Sequence, residues 1–167
     1  MVITFLQRLL WMLALVALQM MVFNHVHIAG YATPLPVIYL LLLFPLGTQR
    51  WSILLWGFAC GLLTDIVSLT PGICSAAMTL AAFIQPPLLA ALAPKECPED
   101  MQPSFKSMGF WPYAYYALLL TLVFSLTYFI VQAFNFFHIV DLAIAFASSW
   151  ALTLMLALAI EGARKQS

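Results

Sequence analysis

Apolar residues form six long segments along the chain, separated by short polar connections. The segments cover residues 9–23, 32–46, 51–67, 73–92, 110–134 and 139–160. A helix needs roughly 20 mostly apolar residues to cross the hydrocarbon core of a bilayer. The pattern therefore predicts an all-α membrane protein, in which six transmembrane helices form a single domain over residues 1–167.

The second segment is the shortest of the six and contains prolines. Pro34, Pro36 and Pro45 flank or interrupt it. Proline removes a backbone donor and disfavours helix at the residue before it. Interrupted helices of this kind can line the solute sites of transporters, and they also occur as irregular packing. A four-span chain with a re-entrant second segment is the alternative to six spans.

The basic residues predict the orientation of the chain. In a six-span arrangement these residues lie before the first span, in the second and fourth connections and after the last span. All four of these places are on the same side of the membrane. The other three connections contain no lysine or arginine. Basic residues favour the cytoplasmic side, so both termini are expected there. The residues concerned are Arg8, Arg50, Lys95, Lys106, Arg164 and Lys165.

Composition agrees with a membrane protein and excludes several other classes. Hydrophobic residues make up 65% of the chain and charged residues 7%, whereas soluble domains contain about 45–50% and about 25%. The net charge of +0 gives no sign of nucleic-acid binding. The three cysteines, Cys60, Cys74 and Cys97, are an odd number, and we expect no disulfide framework.

The chain contains no recognisable catalytic or metal-binding set. Ser148 and Ser149 lie in an apolar segment without a nearby histidine that could act as a base. His25 and His27 are two residues apart, with no evident third ligand. Asp141 opens the sixth segment, where the helix dipole is sufficient to explain a carboxylate. We therefore expect no enzymatic activity, no metal and no cofactor.

Three residues of the third segment stand out by their spacing. Gly57, Gly61 and Asp65 are four residues apart and so lie on one face of a helix. Paired glycines let a neighbouring backbone approach closely, which favours helix association in lipid. This stripe has two interpretations: packing inside the protein, or a surface that receives the helix of a partner protein.

Two stretches of the sequence resemble the rod shape-determining MreD family, in particular its Bacteroidetes-type members. The first contains Asn24, His25, Gly30 and Pro34, with Pro45 at the end of the second segment. The second is similar to the most recognisable motif of the family, and its residues include Gly57, Phe58, Gly61, Leu62, Asp65, Gly72 and Ala76. The resemblance covers residues 21–92, and the last two segments match in hydropathy and length only.

The resemblance implies a fold similar to the substrate-binding component of energy-coupling-factor transporters. It also implies a non-enzymatic scaffold or regulator in the bacterial inner membrane, serving the machinery that builds peptidoglycan during cell elongation. The implied partners are MreC, RodA and a class B penicillin-binding protein, with MreB filaments indirectly and membrane lipid around the helices. On this interpretation the stripe of Gly57, Gly61 and Asp65 would dock MreC.

A second function is compatible with the same helical architecture. The chain could be the solute-binding membrane component of a transporter for a small molecule such as a vitamin. That function requires a polar or aromatic pocket on the outer side, built from loops such as residues 24–31. A membrane enzyme acting on lipid is a third possibility, which the missing catalytic set disfavours.

Overall fold

The described part of the chain is helical, with loops and turns between the helices and no strand. A computed structural model describes residues 2–25, 35–70, 72–93, 98, 101–133 and 139–166, and for residues 2–4, 22–25, 139–142 and 165–166 it describes the backbone alone. The helices are α1 (Val2–His25), a 3₁₀ turn (Pro36–Ile38) that leads into α2 (Tyr39–Leu42), α3 (Arg50–Ser68), α4 (Ile73–Leu92), α5 (Phe110–Ala133) and α6 (Ile139–Gln166).

Four helices within the described residues are long and apolar enough to cross a membrane. They cover Arg50–Ser68, Ile73–Leu92, Phe110–Ala133 and Ala143–Arg164, and a shorter apolar helix covers Phe5–Met21. Such helices indicate a membrane protein. The helices α3, α4 and α5 begin and end within one residue of the apolar segments in the sequence, whereas α1 and α6 extend beyond theirs.

The second segment departs from the continuous spanning helix expected over residues 32–46. Between Leu35 and Leu46 the helical part ends at Leu42, which is far too short to cross a bilayer as a helix. The prolines explain its limits: Pro36 occupies the first turn, where its missing N–H is harmless, and Pro45 disfavours helix at Phe44. The expectation of a regular helix is therefore wrong for this part of the chain.

This short segment is the centre of the protein core. Every residue from Leu35 to Leu42 is buried, packed between α1, α3 and α6. The backbone N–H of Leu35 donates to Thr153 Oγ1 of α6 at 3.1 Å, and the ring of Tyr39 lies 6.0 Å from that of Trp11 in α1. An irregular backbone at membrane depth is tolerated where protein surrounds it, and the other helices provide that surrounding here.

The long helices pack as consecutive antiparallel neighbours. Contacts join α3 to α4, α4 to α5 and α5 to α6, and α1 packs on α3. Gln85 Nε2 in α4 donates to the hydroxyl of Tyr116 in α5 at 3.0 Å, and the rings of Phe129 and Phe146 join α5 to α6. The short connections from α3 to α4 and from α5 to α6 favour this order, because a tight turn returns the chain beside the helix it has just left.

Several parts of the chain that carry basic residues meet at one end of this bundle. The guanidinium of Arg8 lies 4.7 Å from the ring centre of Phe44. Leu46, in the turn before Arg50 and α3, donates its N–H to Met101 O in the connection between α4 and α5. Arg164, near the end of α6, contacts Gln102 of the same connection. The grouping of basic residues inferred from the sequence therefore has a counterpart in the packing.

Candidate functional site

The carboxylate of Asp65, near the end of α3, caps the beginning of α4. Its Oδ1 accepts hydrogen bonds from the Thr70 hydroxyl at 2.7 Å and from the backbone N–H of Cys74 at 2.9 Å. Its Oδ2 accepts from the backbone N–H of Ser75 at 2.8 Å. Asp65 is only 6% exposed, so these bonds satisfy a charge that would otherwise be costly to bury.

The local backbone explains why the side chain of Asp65 caps α4. Helix α3 ends at Leu69 in a left-handed conformation with φ of 53°, and Gly72 precedes α4 with φ of 75°. Gly72 has no side chain to accept from the first N–H groups of α4, which an N-cap residue normally does. Asp65 replaces that cap from the preceding helix, and its negative charge lies at the positive end of the α4 dipole.

The two glycines of the stripe face the same helix. A Cβ added to Gly61 would lie 2.5 Å from the Cα of Ser75 and 2.9 Å from the carbonyl oxygen of Cys74. A Cβ added to Gly57 would lie 2.9 Å from the Cβ of Ala82. Of the two interpretations of the stripe, these contacts support internal packing. Asp65, by contrast, also lines a surface depression between the two helices, and the docking of a partner on this stripe stays a prediction.

Other motif residues lie on the exposed flank of α3, beside α4. Phe58 and Leu62 are 48% and 42% exposed. Two adjoining surface depressions run between the helices. One, of about 530 Å³, is lined by residues that include Phe58, Ala76, Thr79 and Phe83. The other, of about 490 Å³, includes Leu62 and Gly72 in its lining. Together these depressions form what we call the outer groove.

The remaining motif positions are scattered. Asn24 and His25 are the last two residues of α1, where only the backbone is described, and Pro45 follows α2. Gly30 and Pro34 lie outside the described residues, as does His27. Within the described residues, the structure brings the second motif together around the α3–α4 turn.

A buried charged cluster at the basic end was not expected from the sequence. The hydroxyl of Tyr39 donates to Glu161 Oε2 at 2.6 Å. The same oxygen lies 3.8 Å from Arg164 Nη1, and Arg164 Nη2 donates to Gln102 Oε1 at 2.7 Å. Glu161 is 3% exposed. The three-residue spacing of Glu161 and Arg164 was visible in the sequence, but nothing in it pointed to Tyr39 or Gln102.

A small cavity opens beside this cluster. It has a volume of about 190 Å³, and its lining consists of Gln7, Arg8, Trp11, Leu40, Leu43, Phe44, Gln102 and Arg164. A neighbouring cavity of about 210 Å³ shares Arg164 and adds Glu161 and Lys106. Among the described residues, the linings of these two cavities contain Arg8, Lys106 and Arg164 together with the carboxylate of Glu161.

Comparison with known proteins adds no relative: no family model, no curated protein and no solved structure matches the chain.

Proposed function

We propose that the chain is a non-enzymatic scaffold of the cell-elongation peptidoglycan machinery in the bacterial inner membrane, and that it docks MreC through a helix face. The proposal begins from the resemblance to the MreD family. It fits a helical protein with little mass outside its helices, because such a protein can offer partners only helix faces and short connections. RodA, a class B penicillin-binding protein and, indirectly, MreB are the further partners that this function implies.

One observation supports the proposal best: the family-like motif divides into two faces with different tasks. Gly57 and Gly61 face inward and pack against α4. Phe58 and Leu62 are exposed along the outer groove, and Asp65 both caps α4 and lines the groove. A requirement for hairpin packing alone would explain the inward residues. The aromatic and aliphatic residues that flank the groove need a different explanation, and a docked helix provides one.

The shape of the outer groove suits a single transmembrane helix. Its walls are bulky, with Phe58 on α3 and Phe83 on α4, the latter 64% exposed. The lining of the same depression also contains the small side chains of Ala76 and Thr79. Small residues permit close approach of a second helix, and in lipid such close packing is the main source of association energy. We therefore move the expected MreC contact from the glycine stripe to this groove.

Co-purification of MreC with an Ala76→Leu variant tests the groove. The leucine would occupy the groove and meet the docked helix, and overpacking costs about 1–3 kcal/mol, which corresponds to about tenfold or more in affinity. Ala151→Leu is the matched control, because Ala151 is also exposed but lies on α6. We expect MreC to be lost with Ala76→Leu and kept with Ala151→Leu, while both variants insert and elute as the wild type does.

Two results would contradict different parts of the proposal. If wild-type protein retains MreC and Ala76→Leu retains it equally, the groove is not the docking site. If wild-type protein does not retain MreC at all, the scaffold function itself fails. Tight binding of a small solute by the purified protein would then favour the transporter alternative.

We also propose that the chain crosses the membrane six times with both termini in the cytoplasm. The meeting of Arg8, Arg164 and the connection around Gln102 at one end of the bundle supports this orientation. The second crossing then uses the buried segment after Leu35 in place of a regular helix. Cysteine labelling in intact cells tests it: a cysteine at position 50 should react only after the membrane is made permeable, and labelling from outside would refute it.

A further inference from the structure

We propose that the cavity between Arg8 and Arg164 binds a phosphate group that carries net negative charge, and that an anionic phospholipid supplies it. The inference does not rest on the proposed function, because a scaffold and a transporter component could carry the same site. It rests on the hydrogen-bonding state of two guanidinium groups, those of Arg8 and Arg164, and on the apolar side chains near the mouth of the cavity.

Among the described residues, Arg8 has no anionic partner. Within the described residues it makes no hydrogen bond or ion pair, and its guanidinium instead stacks over Phe44 at 4.7 Å. It is partly buried, and a charge removed from water without a partner costs free energy. An arginine held by an aromatic ring keeps its planar donors available, and these donors match the oxygens of a phosphate.

Arg164 provides a second set of donors across the same cavity. Its Nη2 is bonded to Gln102, but its buried Nη1 has no hydrogen-bond acceptor in the described part of the chain and only the distant Glu161 oxygen at 3.8 Å. Because Gln102 accepts through Oε1, its amide nitrogen can donate, and Gln7 lines the cavity beside Arg8. Among the described residues that line the cavity there are two arginines and no carboxylate, so an anion would complement this lining.

The surroundings favour a lipid over a soluble phosphate. On α1, apolar side chains are exposed near Arg8: Phe5, Leu6 and Leu10 are all more than half exposed, whereas the exposed Gln7 is polar. Trp11, a residue type enriched at the level of the headgroups, lines the cavity itself. A lipid could therefore place its phosphate between the arginines and its acyl chains along the apolar flank of α1, whereas a soluble anion would use only the cavity.

Thermal unfolding of the full chain in nanodiscs tests the site. The nanodiscs contain either phosphatidylcholine alone or an equal mixture with phosphatidylglycerol, and a third sample has phosphatidylcholine with added inorganic phosphate. Phosphatidylcholine carries a choline cation next to its phosphate, so the arginines should prefer phosphatidylglycerol. We expect the Tm of the wild-type protein to rise with phosphatidylglycerol, and native mass spectrometry to detect a retained phosphatidylglycerol molecule.

Arg8→Gln should abolish the rise in Tm and weaken lipid retention by about tenfold, since it removes one charge-assisted set of hydrogen bonds. Arg50→Gln is the control, because it makes the same change of charge at an exposed arginine of the same end. If Arg8→Gln does not fold, Arg8→Lys is the second variant. It keeps the positive charge but lacks the planar guanidinium group, so its rise in Tm with phosphatidylglycerol should be smaller than that of the wild-type protein but not zero.

The samples also identify the source of the phosphate. A rise with inorganic phosphate that is lost in Arg8→Gln would support the site and assign it to a soluble anion. If no anion raises the Tm of the wild-type protein, the proposal is overturned. It is equally overturned if Arg50→Gln loses as much of the effect as Arg8→Gln, because the response would then reflect general surface charge.

Discussion

Removal of the Asp65 carboxylate should destabilise the protein more than any other single loss of a polar group at the α3–α4 turn. Asp65→Ala takes away the acceptor of two α4 backbone N–H groups and of the Thr70 hydroxyl. Cys74 and Ser75 are buried residues at a helix start, where the N-cap residue Gly72 makes no side-chain cap hydrogen bond. Loss of the carboxylate would therefore leave their N–H groups without the acceptor that they have in the structure.

The magnitude follows from the number and kind of these bonds. Hydrogen bonds to a charged group contribute about 1.5–3 kcal/mol in soluble proteins, and side-chain hydrogen bonds in membrane proteins contribute less. At about 1–1.5 kcal/mol for each of the three bonds, Asp65→Ala should lower the free energy of unfolding by about 3–4.5 kcal/mol. Asp65→Asn keeps one acceptor oxygen, so it should lose about half as much.

The free energy of unfolding can be measured by titrating the purified protein with sodium dodecyl sulfate in mixed micelles. Thr70→Val removes only one of the three bonds, and its loss should be about 1 kcal/mol. Thr127→Val is the control, because the Thr127 hydroxyl bonds only to a carbonyl of its own helix, and its effect should stay within about 0.5 kcal/mol.

The graded order of these variants is the decisive result. A loss below about 1 kcal/mol for Asp65→Ala would refute the capping argument, because it would mean that the α4 donors find other partners. If Asp65→Ala has normal stability but no longer retains MreC, Asp65 would belong to the partner interface.

Three further changes test other parts of the structure in the same titration. Gly61→Ala should lower the free energy of unfolding by about 1–3 kcal/mol, because the added Cβ meets the α4 backbone. Gly162→Ala is the control: its Cβ meets nothing within 4 Å, so it should be neutral or stabilising by up to about 1 kcal/mol. Equal effects of the two substitutions would contradict the close packing of α3 and α4. Gln19→Met should stabilise by about 1–3 kcal/mol, because both amide atoms of Gln19 are buried without a hydrogen-bond partner in the described part of the chain; a loss of stability would mean that the amide has a partner. Leu69→Gly should stabilise by up to about 1 kcal/mol, because glycine accepts the left-handed backbone of this exposed residue without strain, and no gain would show that the strain is negligible.

The long helices could be predicted from the sequence because their cause is local. An uninterrupted run of apolar residues must satisfy its backbone within the segment if it is to enter lipid, and a helix does this. Residues 73–92 illustrate the point, since α4 covers the same residues. The prolines likewise indicated that the second segment was irregular, although the length of its apolar run suggested a spanning helix.

The candidate sites could be predicted only in part. The four-residue spacing placed Gly57, Gly61 and Asp65 on one face, but spacing does not say what that face meets, and a partner helix and α4 satisfy it equally well. The outward position of Phe58 and Leu62 follows from the same geometry once α4 is known to cover the glycines.

The sequence by itself determined that this is a helical membrane protein, where its long helices lie and which residues share a helix face, because hydropathy and helical period act over neighbouring residues. Only the tertiary structure decided that α4 covers the glycine stripe, that the second segment is the buried core, and that Tyr39, Gln102 and Arg8 join Glu161 and Arg164 at one end. Tyr39 and Glu161 are 122 positions apart. Contacts at such separation depend on how whole helices pack, and no local pattern encodes them.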